Sequence, residues 1–221
     1  MQLMPNLLSR TWGAALAATL AAALVAALAA APAHASHSRS PCLAAAARTE
    51  AALGIPAHLL SAIALAESGR WDRKRKETIA WPWTIYAEGR ARYAPSKARA
   101  VVEVKRLRAR GVRNIDVGCM QVNLHYHPDA FRSLSEAFDP AANVAYAGGF
   151  LKRLKNTSRS WTRSIGLYHS QRLKHSRPYR IRVQRLWMAE RRRAILERRA
   201  ERAEYYRRRK AAIAAARSRS F

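Results

Sequence analysis

The chain has 221 residues, and its 41 Lys and Arg against 14 Asp and Glu leave a formal net charge of +27. With 49% hydrophobic residues it can still build a packed core, which excludes a wholly disordered polycation and suits one domain with an appendage. Its 2 cysteines are too few for a Cys-built metal site.

Residues 1–35 read as an export signal. Arg10 is the only charge among them, residues 12–31 are almost entirely Ala, Leu and Val, and Ala33-His34-Ala35 places small residues where a signal peptidase cuts. The competing reading is an uncleaved anchor, since about 20 apolar residues span a bilayer. A lipid anchor is not expected, because Cys42 follows Arg39-Ser40-Pro41 and not a short aliphatic run. Export to the periplasm or cell envelope would expose Cys42 and Cys119 to oxidising conditions, where they pair as a disulfide or persist as two thiols.

After a short leader at 36–41, a helix is expected from Cys42 to Leu53, closed by Gly54. Pro56 should open a second helix that runs to Ser68 and stops at Gly69. Between Trp71 and Pro95, short runs of Trp, Tyr, Thr and Ile broken by Gly and Pro suggest a small hairpin. Ser96 can cap a helix over 97–110, ended by Gly111, and 114–123 reads as a loop. Further helices are expected over 141–155 after Asp139-Pro140, over 161–168, and over 179–216, the last long and basic. The fold class is therefore mainly α, with a body over 42–187 and an Arg-rich helical tail over 188–221.

The most informative segment is the helix that ends in Glu67. Leu60, Ile63, Ala64 and Glu67 recur at helical spacing, so the carboxyl shares the face that turns toward the core. Desolvation there raises a carboxyl pKa, which suits a general acid. Alternatively, Glu67 lies at a frayed helix end and pairs with an arginine. Two further segments bear on this choice. In Asp116-Val117-Gly118-Cys119-Met120-Gln121-Val122-Asn123, Gly118 permits close backbone approach, Met120 offers an adaptable apolar wall and Gln121 both donates and accepts hydrogen bonds. In Ile165-Gly166-Leu167-Tyr168 the phenol can reach and orient a carboxyl.

In this order, Glu67-Ser68, Gly118-Cys119-Met120-Gln121-Val122, Asn143 with the helix after it, and Tyr168 resemble the lysozyme-like domain of bacterial soluble lytic transglycosylases, relatives of goose-type lysozymes. The resemblance covers about 42–187 and departs where that family continues Tyr-Asn-x-Gly, since this chain has Tyr168-His169-Ser170. It implies a goose-type helical fold, peptidoglycan glycan strands as substrate, and Glu67 as sole acid and base. Glu67 would protonate the oxygen between N-acetylmuramic acid and N-acetylglucosamine, then deprotonate the muramic C6 hydroxyl to leave a 1,6-anhydro end. Ser68, Gly118, Met120, Gln121 and Tyr168 would surround the substrate, with no cofactor and a monomeric chain. Hydrolysis by a water on Asp116 or Gln121, and a catalytically silent wall-binding module, are the alternatives.

Trp81 and Trp83 could form a sugar platform or pack under the hairpin. His125-Tyr126-His127 lacks a third ligand, so no metal is expected, and His58 reads as a helix residue. Trp161 and Trp187 should pack the core. Residues 172–221 carry 18 Lys and Arg and 4 Asp and Glu. Such a tail either binds an anionic envelope surface or is a solvated helix with no specific partner, and export argues against nucleic acid.

Overall fold

The computed structural model describes residues 40–218; the expected signal segment and residues 36–39 of the leader lie outside them. Helix α1 (Pro41–Leu53) begins at Ser40, whose Oγ accepts from the Leu43 N–H, with Pro41 at a first-turn position where no amide is needed. It closes on Gly54, and the Lys152 ammonium donates to the Leu53 carbonyl at its negative end.

Helix α2 (Leu59–Ser68) starts later than the sequence suggests. Pro56 lies in the preceding turn, where its carbonyl accepts from Leu59 N–H, and His58 is the N-cap with φ 68° instead of a helical residue. His58 supplies no side-chain cap; Glu50 of α1 does so from outside the local sequence. Its Oε2 accepts from His58 N–H (2.7 Å), and its Oε1 from Leu60 N–H (2.7 Å) and Ser61 N–H (3.1 Å). A carboxylate here meets orphan donors and the positive end of the helix dipole. Burial nevertheless dominates and raises its pKa, against the lowering effect of those three donors.

Two hairpins follow where one was expected. Strands β1 (Gly69–Asp72) and β2 (Glu77–Ala80) pair alone, while β3 (Thr84–Ala87) and β4 (Arg90–Tyr93) join β5 (Ile115–Val117) and β6 (Val122–Asn123) in an antiparallel sheet ordered β4-β3-β5-β6. The segment read as a loop over 114–123 thus supplies two strands. Ile115 and Val117 are buried with Asp116 between them, a period-two signal only three residues long. Helix α3 (Lys97–Ala109), capped by Ser96, covers this sheet with Val104 and Leu107.

A four-residue helix α4 (Leu134–Ala137) leads into α5 (Pro140–Ser158), capped by Asp139, and α6 (Trp161–His169), capped by Ser160. Helix α7 (Leu173–Ser218) begins before Pro178, not after it. Its first turns dock tightly on α6, since a Cβ on Gly166 would lie 3.3 Å from Ser176 Cβ, and this packing offsets the amide that Pro178 lacks.

The chain is therefore mostly helical, with a small antiparallel sheet and a long C-terminal helix. Two apolar clusters organise it. One gathers α1, α2, α5, α6 and the first half of α7 around Leu60, Ile63, Leu151 and Val183; the other packs β3 and β5 against α3, α4 and Phe138. Fully burying residues such as Leu60 or Ile63 stabilises the fold by about 1.5–3 kcal/mol each. Cys42 and Cys119 are joined, 77 residues apart, which ties α1 to the turn between β5 and β6. Closing a loop of that length contributes about 4 kcal/mol in chain-entropy terms.

Candidate functional site

Helix α2 is central, not amphipathic: nine of its ten residues are buried, and Glu67 alone is not. Burial is therefore not confined to the face that carries the carboxyl, because α1, α5 and α7 enclose the helix. The one point at which α2 reaches solvent is a half-buried carboxyl. Tyr179 of α7 donates its hydroxyl to Glu67 Oε1 (2.5 Å). Glu67 forms no ion pair among the described residues, so the arginine-paired alternative does not hold.

The pKa of Glu67 is pushed up to about 7, first by desolvation and then by the negative charge of Asp116; the Tyr179 hydroxyl and the charge of Arg182 oppose this. Asp116, in the segment read as a loop, is a strand residue of β5. Asn123 Nδ2 donates to its Oδ1 (2.7 Å), and burial raises its pKa as well. Burial also holds the Tyr179 and Tyr168 phenols well above the usual range, followed in each by the nearby charge of Glu67.

The floor of the site is the turn between β5 and β6. Gly118 has φ 84°, and a Cβ there would fall 2.4 Å from Asn143 Nδ2, so both conformation and space demand glycine. Asn143 is fully buried near the start of α5. Its Oδ1 accepts from Met120 N–H (2.9 Å), and its Nδ2 donates to the carbonyls of Val117 (3.0 Å) and Ala137 (3.0 Å). Ser68 holds the turn from the other side, its hydroxyl lying 2.8 Å from the Cys119 carbonyl and 3.0 Å from that of Ala64.

Several expected contacts take other forms. Tyr168 does not orient the carboxyl: its hydroxyl donates to the Met120 carbonyl (2.9 Å), and Tyr179, which the sequence reading placed only as the start of a basic helix, has that task. Met120 is fully buried and packs beneath the site, so it presents no wall to a ligand. Gln121, at φ 47°, spends its amide donors on Thr84 and Gly118 carbonyls (3.2 and 3.0 Å). Ser68 is likewise buried and acts by holding backbone. Of the predicted ligand-facing group, Glu67 is therefore central, and Ser68, Gly118, Met120 and Tyr168 form its support.

Trp81 and Trp83 meet edge to face with centroids 5.5 Å apart. Arg70 lies 3.9 Å over the Trp81 ring, and Trp81 Nε1 donates to the Ala94 carbonyl (2.7 Å), so this pair is built into the hairpins. His127 Nδ1 and the Tyr146 hydroxyl share a hydrogen bond (2.9 Å), and burial lowers the imidazole's pKa. No group of three or more His, Cys, Asp or Glu is gathered for a metal among the described residues. Trp161 and Trp187 pack against the main core, the latter donating to the Ala57 carbonyl (2.8 Å). His169, where the resemblance would have Asn, stacks on Tyr179 at 4.5 Å and 6° between planes.

No protein family's sequence pattern, no curated protein and no solved structure matches this chain. The functional reading accordingly rests on the site itself.

Proposed function

We propose that the chain is an exported, lysozyme-like enzyme that cleaves peptidoglycan glycan strands as a lytic transglycosylase. The observation that carries this reading is the lone opening of the central helix: a half-buried glutamate whose carboxyl is held by one phenol, with burial pushing its pKa up to about 7. With Oε1 accepting from Tyr179, Oε2 is left to carry the proton. A protonated Glu67 can deliver it to the glycosidic oxygen as the bond to C1 breaks. The resulting carboxylate then takes the proton of the muramic C6 hydroxyl as its oxygen closes on C1, which yields a 1,6-anhydro end and returns Glu67 to its starting state. The Cys42–Cys119 bond supports the exported setting.

Asp116 favours a second reading. Its charge acts on Glu67, so a carboxylate able to hold a water is at hand for hydrolysis. Digestion of purified peptidoglycan followed by mass spectrometry of the muropeptides separates the two. Anhydro products lacking the mass of one water are expected; reducing ends alone would establish the hydrolytic route, and intact strands would end both proposals.

Tyr179→Phe tests how the carboxyl is tuned. The phenol stabilises the ionised carboxyl, so its loss raises the Glu67 pKa further, by about 1 unit for a charge-assisted bond. Since cleavage begins from the protonated acid, the high-pH fall of kcat/KM is expected to move to higher pH. A profile that stays in place would show that Tyr179 does not act through Glu67.

A further inference from the structure

The outer half of α7 is exposed at every residue from Ile195 to Ser218. At about 100° per residue, Ile181, Met188, Ile195, Tyr206 and Ile213 fall within roughly 20° of one line along the helix. Met188 and Tyr206 are eighteen residues apart, as are Ile195 and Ile213, which makes five whole turns and keeps the line straight. These side chains are open to solvent: Met188 is 69% exposed, Ile195 44%, Tyr206 56% and Ile213 48%.

Cations flank the line on both sides, within roughly 60° of it: Arg191, Arg202 and Arg209 on one, Arg192 and Lys210 on the other, while Arg199, eighteen residues from Ile181, stands on the line itself. The four acidic residues of the helix, Glu190, Glu197, Glu201 and Glu204, all lie within roughly 40° of the opposite direction. That opposite side is also the one buried against the body through Tyr179, Val183 and Ala194. Sorting the charge in this way leaves an aliphatic and aromatic ridge between two basic rails, facing away from the body.

We propose that this ridge binds an anionic phospholipid surface, with α7 lying flat in the headgroup region. Cations alone would serve for any polyanion. An exposed line of Met and Ile gains nothing against a phosphate polymer, yet enters the acyl boundary while long Arg and Lys side chains reach back to the headgroups. No helix of the described residues is long and apolar enough to cross a membrane, so the helix rests on the surface instead of spanning it. The ridge from Ile181 to Ile213 is about 48 Å long. This inference is independent of the reaction proposed for Glu67.

The test is flotation of the purified chain with vesicles of equal parts phosphatidylglycerol and phosphatidylcholine, beside vesicles of phosphatidylcholine alone. Binding to the anionic vesicles only is expected. The triple variant Met188→Gln, Ile195→Gln, Ile213→Gln keeps every charge and a good helix former at each position, and should bind about tenfold more weakly. Its helicity by circular dichroism checks that the rod persists. Insertion is read separately from Tyr206→Cys and Ala215→Cys chains carrying an environment-sensitive dye, the native cysteines being joined to each other. A blue shift on anionic vesicles at 206 and none at 215 is expected. Equal shifts, wild-type binding by the triple variant, or tighter ridge-insensitive binding to a polyanionic nucleic acid would overturn the proposal.

Discussion

Replacing Glu67 with Gln is expected to lower glycan cleavage by roughly a thousandfold while leaving wall binding in place. The amide matches the carboxyl in shape, and its oxygen can still accept from Tyr179, so the fold should survive. Stability supplies a second readout. Burial pushes the pKa of the native carboxyl up to about 7, whereas an unfolded chain releases the proton near the ordinary glutamate value of 4.5. Between those values the unfolded chain binds fewer protons, and the native state is progressively destabilised as pH rises; below 4.5 the difference vanishes. Gln has no proton to lose. The variant should thus equal the wild type at low pH and exceed it above pH 7, by about 3 kcal/mol. Denaturant unfolding across this range measures it. Undiminished digestion by Glu67→Gln would end the proposed mechanism, and a flat stability difference would show that the carboxyl is not desolvated.

Gly118→Ala should be severely damaging, at about 4 kcal/mol or more. A Cβ there lies 2.4 Å from Asn143 Nδ2, and φ 84° strains an alanine even without that overlap. Asn143 cannot retreat without surrendering Met120 N–H and the carbonyls of Val117 and Ala137, all buried. Those are the groups that fix the floor on which Tyr168 and Ser68 also rest. A midpoint in denaturant that barely moves would mean that the turn tolerates a rearrangement the structure does not suggest.

The helices and most of their ends were legible because their signals are local. Ser40, Ser96, Asp139 and Ser160 each accept a backbone amide a few residues away, and Gly54 follows its helix in a left-handed conformation. Glu67 was legible as well, since a charged residue closes an otherwise apolar run. What the sequence hid depends on distant partners. Glu50 caps a helix from ten residues away, and the segment around Asp116 reads as a loop until β3 and β6 flank it. Tyr179 was obscured by Pro178, which marks a boundary by its own chemistry but here sits inside a helix docked on α6. The spacing of Tyr179, Val183 and Trp187 along that basic helix was the one available sign that its first turns join the core.

The continuity of α7 has a mechanical meaning. One unbroken rod carries at its inner end the phenol that grips Glu67 and at its outer end the exposed ridge, on opposite sides of its axis. There is no hinge along it to absorb a twist. Whatever seizes the outer end therefore sets the compass bearing of the body, and keeps Glu67 on the side of the rod away from the captured surface.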